Sequence, residues 1–204
     1  PTAADLLRIF ELQQANQWNV KASSAEVRKA KLAGLKAAVE AHADAIVAAV
    51  LEDTRKPEGE IRVTEVLNVT ANIQRNIDNL DAWMAPTQVA SSSNPDDRAQ
   101  IIYEARGVCL ILGPWNFPHN LPFGGAAMAL LAGNGVVLKP SEYTPLIARH
   151  IHALYLRAGV PADLCQLVQG PGDVGAAVIE AGVDMVEFTG SVATGRRVGA
   201  MCGE

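Results

Sequence analysis

The sequence predicts an α/β fold, a parallel sheet with helices on both faces, preceded by an N-terminal helical segment. Two features carry this expectation. From Gly107 onward, short apolar runs alternate with helical patterns in four consecutive β-α units, as in a doubly wound sheet. Before that point, apolar positions recur at a spacing near 3.6 residues. The change of texture divides the chain into residues 1–106, helices with a connecting β segment, and residues 107–204, the β-α units.

In the first part, Ser23-Ser24-Ala25-Glu26 fits a capping box, with Ser23 as cap and Glu26 reaching back. The helix it opens carries Val27, Leu32, Leu35, Val39, Ile46, Val47 and Val50 on one stripe, and Pro57 and Gly59 break it. A second helix follows, with Val63, Val66, Leu67, Thr70, Ile73, Ile77 and Leu80 along one face. Such stripes are packing surfaces. The polar stretch 86–100, including Ser91-Ser92-Ser93-Asn94-Pro95, reads as a loop leading to a strand at about 101–104. In the second part, strands are expected at 108–112, 136–139, 165–169 and 185–188. The intervening helices are expected at 121–132, 146–156, 174–180 and 192–201.

Of 204 residues, 49% are hydrophobic and 19% charged, ordinary for a soluble globular chain. A formal charge of -5 and only 5% aromatic residues argue against a nucleic-acid surface. No apolar run approaches the roughly 20 residues that span a bilayer. Pro1-Thr2-Ala3-Ala4-Asp5 lacks the basic and apolar regions of a signal peptide. Cys109, Cys165 and Cys202 are widely spaced and odd in number, forming neither a metal pattern nor a disulfide framework. The expectation is a reduced, cytoplasmic protein with no metal site, no nucleic-acid partner and no membrane span.

Ligands of such sheets sit where the loops leave the carboxyl ends of the strands. Gly113-Pro114-Trp115-Asn116-Phe117-Pro118 is either a rigid packed turn or a mount presenting the Asn116 amide to a developing oxyanion. Lys139-Pro140-Ser141-Glu142 is either a helix N-terminus capped by Ser141 or a pair, Lys139 and Glu142, reaching ribose hydroxyls. Gly170-Pro171-Gly172-Asp173-Val174-Gly175 has the form G-x-G-x-x-G. It belongs to the third β-α unit rather than the first, so the pyrophosphate is not expected there. In Phe188-Thr189-Gly190-Ser191, Ser191 is either an ordinary N-cap or, with Gly190 admitting close approach, an anion site.

Taken in order, Pro-Trp-Asn-Phe-Pro, Lys-Pro-Ser-Glu, a glycine-rich turn and Phe-Thr-Gly-Ser resemble the aldehyde dehydrogenase superfamily over essentially the whole chain, in its N-terminal, NAD(P)-binding half. With Thr54-Arg55-Lys56-Pro57-Glu58 before a helix, the chain is most similar to the class 3, fatty and coniferyl aldehyde branch. The resemblance implies a Rossmann-like sheet within a truncated aldehyde dehydrogenase fold that lacks the catalytic domain. It implies an oxidoreductase taking an aldehyde to a carboxylic acid while NAD, or NADP, is reduced.

Asn116 would donate to the thiohemiacetal oxyanion. Leu112 and Trp115 would flank the nicotinamide half, with Gly113 and Pro114 of the same loop also touching cofactor. Lys139 and Glu142, with Ser141 between them, would hold the adenosine ribose. Ser191, backed by Gly190 and following Phe188 and Thr189, would meet the pyrophosphate. Thr194 would pack near the adenine, whose pocket Gly170 and Gly175 would border. Glu142 would repel a ribose phosphate, so NAD is expected over NADP.

The family's nucleophilic cysteine and water-activating glutamate follow the Phe-Thr-Gly-Ser helix, and neither is expected in this sequence. Cys109 and Cys165 read as core residues, and neither Cys202 nor Glu204 is the family's catalytic group. The chain alone is therefore expected to be an inactive partial chain, and the full-length protein a homo-oligomer, a dimer by analogy, acting on a small aldehyde. Two further readings stay open. One is a non-catalytic nucleotide- or partner-binding module. The other is an acyl-phosphate or acyl-coenzyme A reductase, which the Asn116 loop and Ser191 helix disfavour.

Overall fold

A computed structural model describes residues 3–90, 96–161 and 163–203. The N-terminal part folds as α1 (Ala3–Lys21), α2 (Ala25–Ala41) and α3 (Ala43–Thr54). A continuous rod follows, made of α4 (Glu58–Ile61), a π-helical turn (Arg62–Leu67) and α5 (Asn68–Met84). Two expectations are corrected here. Ser24, not Ser23, caps α2: its backbone is extended and its Oγ accepts from the Val27 N–H at 3.4 Å. Ser23 is engaged elsewhere, donating to the Val20 carbonyl at the end of α1 and accepting from Arg28 Nε. The expected long helix is two helices, interrupted at His42, where φ is -115°.

The stripe expected over the rod also slips, because Val63 and Leu67 are exposed. A π-turn takes in about one more residue than an α-turn and rotates the following face. Here that rotation carries Glu65 and Val66 inward.

Residues 86–100 hold a feature the sequence did not announce. β1 (Thr87–Val89) pairs antiparallel with β2 (Ala99–Ile101), and every residue of both strands is exposed. With neither face buried there is no apolar alternation to read. The strand expected at 101–104 thus begins earlier and ends at Ile101, and Ser91–Pro95 lies outside the described residues.

The β-α units follow as β3 (Val108–Leu112), α6 (Asn120–Leu131), β4 (Gly135–Lys139), α7 (Pro145–Arg157), β5 (Cys165–Leu167), α8 (Gly172–Glu180), β6 (Met185–Phe188) and α9 (Val192–Met201). The sheet is parallel, in the order β5-β4-β3-β6, a Rossmann-like arrangement. Strand alternation sends Cys109, Ile111, Val136 and Leu138 into a core shared with α2, α3, α5, α6 and α7. It sends Val108, Leu110 and Val137 to the other face, where Ile9 and Phe10 of α1 and Val178 of α8 cover them.

The outer helices cap the inner ones. The Asp53 carboxylate of α3 accepts from the N–H groups of Leu146 and Ile147, at 3.0 and 2.9 Å, and so starts α7. Ser141 is accordingly not the cap of that helix; its Oγ accepts from the Tyr143 N–H at 3.3 Å. Glu65 does for α6 what Asp53 does for α7, taking the N–H groups of His119 and Asn120 at 3.1 and 2.8 Å. Among the described residues no helix is long and apolar enough to cross a membrane.

Candidate functional site

The chain runs outward from β3 through β4 to β5, then returns to place β6 on the other side of β3. The loops after β3 and β6 therefore diverge, and a crevice opens between them at this topological switch point. A cleft of about 670 Å³ occupies it, within the size range of small-molecule sites. The first loop contributes Leu112, Gly113, Pro114 and Trp115, and the second Lys139, Ser141, Glu142 and Tyr143. Phe188, Thr189, Gly190 and Ser191 close the far side. Gly172, Asp173, Gly175, Ala176 and Ile179 come from α8, and Thr194, Arg197, Val198 and Met201 from α9.

Every residue singled out from the sequence lines this cleft except Asn116 and Gly170. Asn116 is exposed one residue beyond Trp115, and its amide has no side-chain hydrogen bond among the described residues. Gly170 serves the turn into α8, with the Val174 side chain occupying the space a Cβ would need. Most of the lining residues that sequence reasoning missed, Gly172, Ala176, Ile179, Arg197, Val198 and Met201, complete two matching patterns around the expected Gly175 and Thr194. Gly172, Gly175, Ala176 and Ile179 on α8, and Thr194, Arg197, Val198 and Met201 on α9, each follow the i, i+3, i+4, i+7 spacing of one helix face. That spacing was the available signal.

Local packing explains the loop sequences. A Cβ on Gly113 would stand 2.3 Å from Cγ of Pro122, so only glycine lets α6 crowd the end of β3. A Cβ on Gly190 would stand 2.5 Å from Cζ of Phe188, whose ring folds back beneath the turn. Ser191 is the N-cap of α9, accepting from the Thr194 N–H at 3.2 Å and donating to Thr194 Oγ1 at 3.0 Å. The N–H groups of Val192 and Ala193 then have no partner among the described residues and remain available to an anion. Lys139 is buried, its ammonium donating to the Pro140 carbonyl at 3.3 Å and to Glu142 Oε2 at 3.4 Å.

Behind the first loop lies a buried polar cluster. Glu65 is fully buried, and its Oε1 accepts from Lys56 Nζ at 3.0 Å. That ammonium sits 4.1 Å from the centre of the Phe117 ring. His119 Nδ1 donates to the main-chain carbonyl of Glu65, while Nε2 is buried without a partner among the described residues. Burial pushes the His119 imidazole down to about 4, so it is neutral at ordinary pH. Below its usual value near 6.5, the unfolded chain takes up a proton that the folded chain refuses until about pH 4. Stability must therefore fall as pH drops through that window, by at most about 1.4 kcal/mol per pH unit. Thermal melts should give a lower Tm at pH 5 than at pH 7, with a shallower slope in His119→Gln. An identical slope in the variant would assign the effect elsewhere.

The two core thiols offer no nucleophile. Burial pushes Cys109 up to about 11 and Cys165 up to about 12, so both stay protonated in the core. Cys202 is exposed near the end of α9. Among the described residues, no group of three or more His, Cys, Asp or Glu is placed to hold a metal.

Known proteins share this arrangement. AldX of Bacillus subtilis (strain 168), named as an aldehyde dehydrogenase, is 36% identical over 194 residues, covering 95% of this chain and 43% of its own. An N-succinylglutamate 5-semialdehyde dehydrogenase of Photorhabdus laumondii is 39% identical over 155 residues, 76% of this chain and 31% of its own. The crystal structure of an aldehyde dehydrogenase from Brucella melitensis biovar abortus 2308 superposes with a TM-score of 0.92 at 27% identity, covering 98% of this chain and 41% of that one. The chain thus spans less than half the length of these relatives. The family model for the aldehyde dehydrogenase family matches residues 2–204, and the chain belongs to that family.

Proposed function

We propose that this chain forms the NAD-binding part of an enzyme that oxidises an aldehyde to a carboxylic acid. The observation that carries the proposal is the cleft at the strand reversal, where all four chemically suggestive loops converge. The cleft fits a dinucleotide by its donors and by its shape. Lys139 and Glu142 would take the hydroxyls of the adenosine ribose. Ser191 and the free N–H groups of Val192 and Ala193 would take the pyrophosphate. Ala176 and Ile179 of α8, with Val198 and Met201 of α9, would hold the adenine. A Cβ on Gly175 would already touch Leu112 and Lys139, at 3.4 and 3.5 Å, so any larger side chain there would fill the space. Leu112, Gly113, Pro114 and Trp115 would flank the nicotinamide half.

The bound cofactor supplies the hydride acceptor. Asn116 would offer its amide N–H to the aldehyde oxygen as negative charge develops, and the lack of a side-chain partner among the described residues leaves that donor free. The carboxylate of Glu142 would face a phosphate on the adenosine ribose, a repulsion of about 1 kcal/mol or more at close range. NAD should therefore bind at least about fivefold more tightly than NADP. Glu142→Gln should narrow the gap. Titrating both dinucleotides into the full-length protein checks this, and a clear NADP preference would overturn the assignment of Glu142. A reducing, cytoplasmic setting and a homo-oligomeric full-length enzyme fit the same reading by analogy with the family.

A further inference from the structure

The Asn116 amide has to be aimed by its main chain, because no side-chain bond holds it among the described residues. On one side, Gly113 is packed against Pro122. On the other, each fixed point leads back to one residue. Glu65 Oε2 accepts from the N–H groups of His119 and Asn120, at 3.1 and 2.8 Å. Its main-chain carbonyl accepts from His119 Nδ1. Its Oε1 holds Lys56 Nζ at 3.0 Å, and that ammonium lies 4.1 Å over the Phe117 ring, directly beside Asn116.

Glu65 belongs to the π-helical turn. In a regular α-helix each residue advances the face by about 100°. Rewinding this turn as α-helix would swing Glu65 away from the start of α6. Widened turns of this kind are frequent at functional sites. Here the widening lets the carboxylate and the carbonyl of one residue reach the same loop.

We propose that Glu65, assisted by Lys56, is the positioning residue for Asn116, fixing the main chain from Phe117 to Asn120 so that the amide points at the developing oxyanion. The assignment rests on the aldehyde dehydrogenase reading of the cleft. A carboxylate suits the task because it accepts two N–H bonds and an ammonium together, each strengthened by charge. Glutamine has the same shape, but only one oxygen. Its NH₂ would face either the Lys56 ammonium or the two N–H groups, donor against donor.

A double-mutant cycle in the full-length enzyme tests this, reading kcat, cofactor Kd and Tm for Glu65→Gln, Asn116→Ala and the double variant. Glu65→Gln alone should lower kcat roughly 10- to 100-fold, the scale of a small misplacement of a reacting group, with cofactor Kd changed less than about twofold. In the Asn116→Ala background the same substitution should cost less than about threefold more. Losses that multiply would make Glu65 a merely structural residue and overturn the proposal. Turnover unaffected by Asn116→Ala alone would instead overturn the oxyanion reading beneath it. Should Glu65→Gln fail to fold, Lys56→Met enters the same cycle. It keeps the bonds from Glu65 to His119 and Asn120 while removing the ammonium above Phe117. A roughly three- to tenfold loss that vanishes with Asn116→Ala supports the proposal, and a multiplicative loss overturns it.

Discussion

Replacing Asn116 by alanine in the full-length enzyme is expected to lower kcat by about 100- to 1000-fold, the usual loss when one oxyanion donor is removed. Cofactor affinity should stay within about twofold. The amide does not line the cleft to which Lys139 and the start of α9 contribute. An interaction made only as charge develops lowers kcat and kcat/KM together and leaves ground-state binding alone. Steady-state kinetics with a separate cofactor titration would separate the two effects. Equal losses in turnover and cofactor affinity would count against the oxyanion role.

The second large effect concerns stability. Phe123 is fully buried, its ring centre 4.8 Å from those of both His119 and Tyr155. Phe123→Ala would empty the space behind the loop that carries Asn116, and a cavity of that kind costs about 3–5 kcal/mol. Tyr155→Phe, which removes only the hydroxyl donated to the Phe123 carbonyl at 2.9 Å, should cost about 1–2 kcal/mol. Urea unfolding of both variants gives the comparison. A Phe123→Ala effect no larger than that of Tyr155→Phe would mean that the surroundings collapse into the space and that the three rings do not form a rigid support.

The parallel sheet was legible in the sequence because its strands are short apolar runs bounded by glycine and proline, the central pair, β3 and β4, being buried on both faces. Val108–Leu112 and Met185–Phe188 fall where the apolar runs place them. The β1–β2 pair was not legible, since its residues are exposed on both sides and carry no alternation. The π-turn was hidden for another reason: it depends on where Glu65 must reach, and its partners His119 and Asn120 stand more than fifty residues away in the chain. The same holds for Asp53, whose bonds to Leu146 and Ile147 displaced the local expectation of a Ser141 cap.

For the cleft, the loop residues could be picked out because their chemistry is unusual at strand ends. The faces of α8 and α9 could have been, since Arg197, Val198 and Met201 stand at helical spacing from Thr194. Asn116 is the instructive case. Its proposed chemistry is readable from its loop, but its placement outside the cleft lining, with no side-chain bond among the described residues, emerges from tertiary packing.

The measurement that bears most directly on the central claim is aldehyde-dependent reduction of NAD by the full-length protein, followed with a panel of aliphatic and aromatic aldehydes and repeated in Gly175→Trp. The proposed function predicts turnover with at least one aldehyde, and its loss, together with NAD binding, when the indole fills the cleft between Leu112 and Lys139. No turnover with any aldehyde and either dinucleotide, or turnover that Gly175→Trp leaves intact, would contradict it.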